Sequence, residues 1–328
     1  MPNQLNQPIE QPNETANAQG RFSYVAGGLA VLAILLAFGL SVVSAPSGLA
    51  ENQVAGVAKS WEKYFTDIAL IGKSAVIIDL TSGETLFELN PDAQLPLASL
   101  TKVPLVLVVS EVLPPEFVIT IPRDIPQIGS FETLTAGEPW PVREVIDFTL
   151  ITSSNDGAEI LAEAAGGAIR RAHTEAPAKE PALWRMNALA QELGLAQTYF
   201  LNVSGLDVST TLAGAYGSAR DMATLFAHAY KTNSALFSGT ARGNVLLTSE
   251  YGTNRTVAYN TNAAEAAIPG LIMGKTGFTD LAGGNLAVVF DLGLAHPVVA
   301  VILGSTKEGR FTDMQKLVEA TRTAAAAE

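Results

Sequence analysis

The sequence predicts a mixed α/β fold of the α+β type, in which an antiparallel sheet is flanked by helices and follows an N-terminal transmembrane helix. Past residue 68, β-rich segments lie near both ends of the chain and helical segments lie between them, which favours a sheet built from the two ends. A hydrophobic content of 48% is enough for a large core. Residues 22–44 contain no charged side chain, which predicts the transmembrane helix.

Charge and cysteine content exclude several classes of function. The chain has 20 Lys and Arg against 32 Asp and Glu, a net charge of -12, and no densely basic window. Nucleic acid is therefore not an expected partner. Because the chain has no cysteine, thiolate nucleophiles, thiolate metal sites and disulfides are excluded. Catalytic chemistry must come from oxygen and nitrogen side chains.

The N-terminal region predicts a membrane anchor. Residues 1–21 are rich in Asn, Gln and Pro and predict a disordered cytoplasmic tail. The 23 residues of 22–44 match a hydrocarbon core of about 30 Å, and Arg21 on the tail side favours a domain outside the cytoplasmic membrane. Cleavage after Ala45 or Ala50 stays open, because Val43-Ser44-Ala45 and Gly48-Leu49-Ala50 have small residues where a signal peptidase requires them, but the long polar tail favours a retained anchor. Residues 45–68 predict a juxtamembrane linker and helix, and residues 69–328 a single domain.

The elements of that domain follow from periodicity and turn residues. β-branched residues and alternation on both sides of the turn at 81–83 predict an opening hairpin of 74–80 and 84–88. Apolar residues at helical spacing predict helices over 100–112, 142–150, 156–165, 182–193 and 218–231. Three short apolar runs then predict strands over 271–278, 285–291 and 297–304, followed by a helix from about residue 311. We expect this last meander to pair with the opening hairpin.

Three short motifs carry the candidate chemistry. Ser99 and Lys102 are three residues apart at the start of the apolar helix, so the hydroxyl and the amine lie within hydrogen-bond reach on one face. This spacing predicts a nucleophile with a lysine base whose pKa is lowered by burial and by a second cation. The same spacing occurs at Ser60 and Lys63, but Ser60 lies in the predicted juxtamembrane helix before the first strand, whereas Ser99 opens an apolar helix directly after a β-hairpin.

The other two motifs are weaker when taken alone. Ser153, Ser154 and Asn155 lie between two helices, where a turn and a helix N-cap would explain them equally well. Lys275, Thr276 and Gly277 interrupt what we expect to be an interior strand with a cation and a glycine. The glycine predicts close approach of a ligand backbone.

In this order the three motifs are the set found in penicillin-binding proteins and class A β-lactamases. The sequence further resembles the D-alanyl-D-alanine carboxypeptidase family of low-molecular-mass penicillin-binding proteins from about residue 73 to residue 317. The segments that carry the resemblance are 98–102, 153–156, 186–188, 192–194, 202–206, 218–222 and 274–280.

The resemblance implies a penicillin-binding-protein/β-lactamase-like transpeptidase fold and an acyl-enzyme mechanism. Ser99 would attack the carbonyl of the penultimate D-alanine of a peptidoglycan stem peptide, Lys102 would accept its proton, and Ser153 would relay a proton to the leaving amine. The resemblance implies that β-lactams are covalent inhibitors. No metal or organic cofactor is expected.

The resemblance also implies how the substrate is held. Asn155 would bind the substrate amide, and Lys275 and Thr276, in the motif that ends at Gly277, would bind the terminal carboxylate. The backbone amides of Ser99 and Phe278 would form the oxyanion hole.

The sequence departs from the family at Val203, where proline is frequent. We also expect neither the β-rich second domain nor the C-terminal amphipathic anchor of some relatives.

Three other functions remain as alternatives. A class A-like β-lactamase shares the three motifs, and Glu180 lies near where its deacylating glutamate would be, but Trp184 replaces the companion asparagine. A membrane-tethered β-lactam sensor would need a cytoplasmic output domain. A serine-histidine-aspartate hydrolase would have to use His173, His228 or His296 and lacks the G-x-S-x-G motif.

Overall fold

The computed structural model describes residues 61–123 and 134–327. All of them belong to the unit Lys59–Glu328. The predicted tail 1–21, the span 22–44, most of the linker 45–68 and Ser60 lie outside the described residues. Among the helices that the structure describes, none combines the length and apolar character needed to cross a bilayer.

The described segments form helices and strands in an order close to the predicted one. The α-helices are α1 (Glu62–Phe65), α2 (Lys102–Val112), α3 (Val142–Ile151), α4 (Asn155–Ala172), α5 (Pro181–Glu192), α6 (Ala219–Asn233) and α7 (Gly309–Ala326). The strands are β1 (Ser74–Asp79), β2 (Thr85–Leu89), β3 (Leu95–Pro96), β4 (Val118–Thr120), β5 (Pro139–Pro141), β6 (Tyr199–Phe200), β7 (Ala215–Gly217), β8 (Asn244–Thr248), β9 (Arg255–Tyr259), β10 (Leu271–Thr279), β11 (Gly283–Asp291) and β12 (Pro297–Ser305).

The main sheet has five strands in the order β10-β11-β12-β1-β2, all antiparallel. The pairing of β1 with β12 runs from Ser74 opposite Leu303 to Asp79 opposite Val298. The predicted antiparallel sheet, with its closing meander paired to the opening hairpin, is therefore confirmed.

The strand that carries Lys275, Thr276 and Gly277 lies at the edge of this sheet, so the expectation of an interior strand was wrong. β10 pairs only with β11 within the main sheet. Its other side is covered by the 3₁₀ turn Ala98–Thr101 and by the 3₁₀ segment Ser234–Ala241, and this cover explains why Lys275 is buried without a second neighbouring strand.

The sheet is covered on both faces because its side chains alternate. Val76 belongs to the large core beneath helices α2 to α6, whereas Ala75 and Ile77 belong to a second core beneath α7. On β11, Val289 belongs to the large core and its neighbour Val288 to the second core. The sheet thus forms the middle layer of the domain, with α2 to α6 on one face and α7 on the other.

The short helix α1 packs onto the second core. Trp61 and Phe65 are buried there, and the ring of Phe65 lies 5.1 Å from that of Phe87 on β2. The residues predicted as the end of the juxtamembrane helix therefore contact the sheet directly.

Several short strands were not predicted. They form a three-stranded sheet β3-β7-β6 and two hairpins, β4-β5 and β8-β9. The strands β3 to β7 have only two or three residues, too few for alternation to be recognised, and β8 and β9 of five residues each were missed as well.

Candidate active site

Ser99 and Lys102 lie where the chain passes from the short strand β3 into helix α2. Ser99 is in the 3₁₀ turn Ala98–Thr101 and Lys102 is the first residue of α2. The Lys102 amine donates to the Ser99 hydroxyl over 2.9 Å, to Asn155 Oδ1 over 2.8 Å and to the Ser204 carbonyl over 2.7 Å. All three acceptors are uncharged. The hydrogen bonds therefore orient the amine, but none of them is an ion pair that would stabilise its protonated form.

Burial lowers the pKa of Lys102, so that its amine can act as a base. Lys102 is 0% exposed, and burial lowers its pKa to about 7, while the charge of Glu159 acts in the opposite direction. A large fraction of the amine is therefore free base near neutral pH. A free amine 2.9 Å from a serine hydroxyl can accept its proton as the oxygen attacks a carbonyl.

A second lysine pairs with a second serine. The Lys275 amine donates to the Ser153 hydroxyl over 2.8 Å and to the Thr276 carbonyl over 2.9 Å. Burial lowers the pKa of Lys275 well below the usual lysine range, and the charges of Lys102 and Arg310 lower it further. The site therefore contains two amine-hydroxyl pairs, each formed by a lysine that is difficult to protonate.

The turn between α3 and α4 presents both predicted residues of its motif. Ser153 has φ +62°, a left-handed conformation that costs of order 1–3 kcal/mol for a residue other than glycine. Ser154 caps α4, because its hydroxyl accepts from the Gly157 amide over 3.0 Å. The predicted N-cap and the predicted site thus coexist: Ser154 closes the helix end while Ser153 and Asn155 bond to the two lysines.

Gly277 lets the edge strand approach the nucleophile. A Cβ at this position would lie 2.8 Å from the Leu97 carbonyl oxygen, 3.2 Å from Ala98 Cβ and 3.3 Å from the Ser99 amide nitrogen. The space is filled by the protein's own backbone, so the expectation that a ligand backbone requires this glycine was incomplete. The glycine allows β10 to run beside the Ser99 turn.

The remaining residues of the third motif line the same edge. The Thr276 hydroxyl shares a 2.6 Å hydrogen bond with the Thr261 hydroxyl. Phe278 is 43% exposed, with the Lys307 amine 5.6 Å from its ring centre. The oxyanion-hole role of the Ser99 and Phe278 amides stays a prediction.

Asn285 is a positioning residue that the sequence analysis missed. It is fully buried on β11, and its amide nitrogen donates to the Pro96 and Leu97 carbonyls over 2.9 and 3.0 Å. Its Oδ1 accepts from the Gly304 amide over 2.8 Å. One side chain thus joins the entry to the Ser99 turn to two strands. The available signal was a lone amide within an apolar strand, which needs buried partners.

Arg310 is the second residue that was missed. Its guanidinium donates to the Gly277 carbonyl over 2.7 Å, and only 5% of the residue is exposed. Burial lowers its pKa to about 10, against the opposing charge of Glu308. The signal was a cation in the first turn of α7, where the helix dipole favours an acidic residue.

Two of the three histidines, His173 and His296, have contacts of a structural kind. His296 Nε2 lies 2.8 Å from Asp79 Oδ2 at one end of the sheet, and the ring of His173 lies 5.8 Å from that of Trp184. A lysine, rather than a histidine, therefore occupies the position of the base beside Ser99.

A serine bonded to a buried lysine, with a second lysine-serine pair beside it, defines the class of active-site serine enzymes that work without histidine. The chain belongs to the D-alanyl-D-alanine carboxypeptidase family, peptidase family S11, whose model matches residues 62–307. This confirms the family that the sequence resembled.

Individual relatives agree with the family. The chain is 30% identical over 269 residues to the D-alanyl-D-alanine carboxypeptidase DacF of Bacillus subtilis, covering 80% of this chain and 65% of the relative. It is 29% identical over 262 residues to DacA of Escherichia coli, covering 75% and 59% respectively. The chain thus spans less than two thirds of the length of these two curated relatives.

A solved structure agrees with the fold. Penicillin-Binding Protein D2 from Listeria monocytogenes, in its cefotaxime-bound form, is 29% identical and superposes with a TM-score of 0.65, covering 77% of this chain and 98% of that one. The predicted penicillin-binding-protein type of fold is therefore confirmed for the domain.

Proposed function

We propose that the protein is a serine-type D-alanyl-D-alanine carboxypeptidase that removes the terminal D-alanine from peptidoglycan stem peptides. The observation that carries this proposal is the 2.9 Å hydrogen bond between Ser99 and the buried amine of Lys102, in a chain of the S11 family. This contact supplies what acyl transfer needs, a nucleophile and an adjacent general base.

Acylation uses the two lysine-serine pairs in turn. Lys102 takes the proton of the Ser99 hydroxyl while the oxygen attacks the carbonyl of the penultimate D-alanine. The tetrahedral oxyanion lies toward the backbone amides of Ser99 and Phe278, an interaction worth about 3 kcal/mol of barrier. Ser153 gives its proton to the departing D-alanine nitrogen, and the proton held on Lys102 replaces it. Water then attacks the ester with Lys102 as base and regenerates Ser99.

The terminal carboxylate of the substrate has nitrogen hydrogen-bond donors at the edge strand. Lys275 and Arg310 are buried, and they donate to the carbonyls of Thr276 and Gly277 respectively. Arg310 Nε is buried and has no hydrogen-bond partner within residues 61–123 and 134–327. A carboxylate bound beside these groups is a favourable ligand, because an anion offsets the buried charge of Arg310 and can accept a hydrogen bond from Lys275.

β-Lactams enter this scheme as substrate mimics. We propose that they acylate Ser99, an expectation supported by the cefotaxime-bound form of the Listeria neighbour. The same oxyanion and carboxylate partners serve both the peptide and the drug.

Residues 22–44 remain, in this proposal, an uncleaved anchor that holds the domain outside the cytoplasmic membrane, where peptidoglycan lies. The support is the 23-residue uncharged stretch. Mass spectrometry of the protein purified from membranes tests it: an intact N-terminal segment is expected, and a mature N-terminus at Pro46 or Glu51 contradicts retention.

The activity is tested with a disaccharide pentapeptide and mass detection of products. The wild type and the Ser60→Ala control should release one D-alanine per stem with turnover, and Ser99→Ala should release none. Release that survives the loss of Ser99 would contradict the assignment of the nucleophile.

A further inference from the structure

A cleft of about 430 Å³ opens between α4 and α5, next to the elements that hold Lys102. Its lining includes Asn202 and Val203, and the next residue, Ser204, provides the carbonyl that accepts from the lysine amine. Its other wall is α4, whose first residue, Asn155, accepts a second bond from the same amine. The cleft is therefore close to the supports of the base.

Glu159 extends into this cleft from α4. It lies four residues after Asn155, so the two side chains share a face of the helix. Glu159 is exposed to the solvent of the cleft. The cleft walls nevertheless desolvate it enough to raise the pKa of the carboxyl, with Lys102 acting against this and with Glu180 and Asp156 adding to it.

Within the described part of the chain, Glu159 is the one acidic group whose charge favours the protonated form of Lys102. The direct partners of Lys102 are the uncharged oxygens of Ser99, Asn155 and Ser204. From β10, the amine of Lys275 lies close enough that a charge on Lys102 lowers the pKa of Lys275. Glu159 is the charge that raises the pKa of Lys102 against its burial.

The charged groups near Glu159 come from three elements. Asp156, Glu163 and Arg170 lie with it on α4, Glu180 precedes α5, and Lys102 opens α2. Its carboxylate neighbours favour the protonated form of Glu159, and the cation of Lys102 favours the ionised form. The Glu159–Lys102 interaction is therefore mutual.

We propose that Glu159 is a positioning residue for the acylation step, acting through its charge to stabilise the ammonium that forms on Lys102 when Ser99 loses its proton. This inference rests on the proposed function, because it takes Lys102 as the base. Two consequences follow. Glu159 raises the proton affinity of Lys102, which strengthens the base, and it places the acid limb of the pH-rate profile at higher pH.

The sign of the effect of removing the charge is fixed. In Glu159→Gln, the Lys102 ammonium loses its stabilising partner and the amine deprotonates at lower pH. The acid limb of acylation should move down by about 0.5–1 pH unit, the scale expected for one partly solvated charge. The plateau should fall by about 2–5-fold, because a weaker base accepts the Ser99 proton less readily.

The experiment measures the second-order rate of labelling of Ser99 by a fluorescent penicillin between about pH 5 and 9. Glu159→Gln is compared with Glu159→Asp, which keeps the charge, and with Glu163→Gln, which neutralises a carboxylate one turn further along the same cleft. We expect the limb to move in Glu159→Gln, to stay near the wild-type position in Glu159→Asp, and to stay unchanged in Glu163→Gln. An unmoved limb in Glu159→Gln, or an equal movement in Glu163→Gln, overturns the proposal.

Salt provides a second readout on the folded wild type. Raising the ionic strength from about 0.05 to 1 M shortens the Debye length from about 14 to 3 Å and screens an exposed charge. The wild-type limb should then move toward that of Glu159→Gln, while the variant limb moves less. Equal movement of both overturns the role of Glu159. Failure of the wild type to label at all, or labelling of Ser99→Ala, would instead overturn the proposed function, so the two failures are distinguishable.

Discussion

The Lys275 amine donates a hydrogen bond to the Ser153 hydroxyl over 2.8 Å, which joins the edge strand of the sheet to the turn between two helices. Ser99 and Lys102 form a second pair of the same kind, and Gly277 on the edge strand lies beside the backbone of Ser99. Proton transfer to and from the substrate can therefore be divided between two hydroxyls.

This pairing predicts that Ser153 and Lys275 act as a unit. Ser153→Ala and Lys275→Ala should each lower the rate of acylation by penicillin by about 10²–10⁴-fold, the usual range for loss of an acid-base group. The double variant should be little worse than either single one, because the second change removes a partner that has already lost its function. Stopped-flow labelling measures all three. Multiplicative losses would mean that the two residues work independently.

Gly277 predicts a sharp limit on side-chain size beside the nucleophile. Gly277→Ala places a Cβ 2.8 Å from the Leu97 carbonyl oxygen, so β10 or the Ser99 turn must move. We expect acylation to fall by more than about 10-fold, since small misplacements of reacting groups are costly. The matched control is Gly274→Ala on the same strand, where the nearest atom is a Val288 methyl group at 3.3 Å. Equal losses in the two variants would show that the effect is general strain in β10.

Asn285 predicts a joint loss of stability and activity. Asn285→Ala leaves the Pro96 and Leu97 carbonyls and the Gly304 amide without their side-chain partner. We expect the free energy of unfolding to fall by about 2–4 kcal/mol, given the cost of unsatisfied buried groups. Urea denaturation measures this, and penicillin labelling of the folded fraction measures the effect on the turn. A loss below about 1 kcal/mol would mean that water replaces the amide.

The Asp79–His296 pair predicts a pH-dependent contribution to stability. Burial alone raises the pKa of Asp79, but the hydrogen bonds from His296, Thr81 and Ser82 together lower it below its ordinary value. The stabilisation is therefore present above the ordinary pKa and is lost as pH falls through the lowered value in the folded state. His296→Ala should reduce Tm near pH 7, and the difference from wild type should vanish below about pH 3. Thermal melts across this range measure it, and a pH-independent difference would assign the effect to packing.

The lifetime of the acyl-enzyme separates a carboxypeptidase from a β-lactamase. Glu180 lies in the left-handed position before α5, with φ +52°, on the exposed rim of the cleft that contains Glu159. We expect the penicilloyl adduct on Ser99 to persist for minutes or longer and Glu180→Gln to change this little. Intact-protein mass spectrometry follows the adduct. Fast penicillin hydrolysis that collapses in Glu180→Gln would favour the lactamase.

The sequence was informative where the relevant interactions are local. The spacing of Ser99 and Lys102 sets a contact within one helical turn, and the turn from Ser153 to Asn155 is continuous in the chain, so these groups could be recognised without a structure. The short apolar runs of β11 and β12 likewise predicted strands of the sheet.

The rest of the site depends on contacts between distant segments. Arg310 follows Gly277 by 33 residues, and Asn285 bonds to a carbonyl 188 residues earlier in the chain. No local pattern encodes such pairings. The edge position of β10 was missed for the same reason: a run that is buried by a 3₁₀ turn looks identical in sequence to one buried between strands.

The pairing of β1 with β12 has a consequence for biosynthesis. The nucleophile emerges from the ribosome early, whereas Lys275 and the strand that closes the sheet follow as many as about 200 residues later. At ordinary rates of synthesis this interval is about 10–40 s. Throughout it, the nascent polypeptide carries Ser99 without Asn285 to hold its turn or Gly277 to lie beside it. We therefore expect the emerging chain to be inactive until the last strands join the sheet.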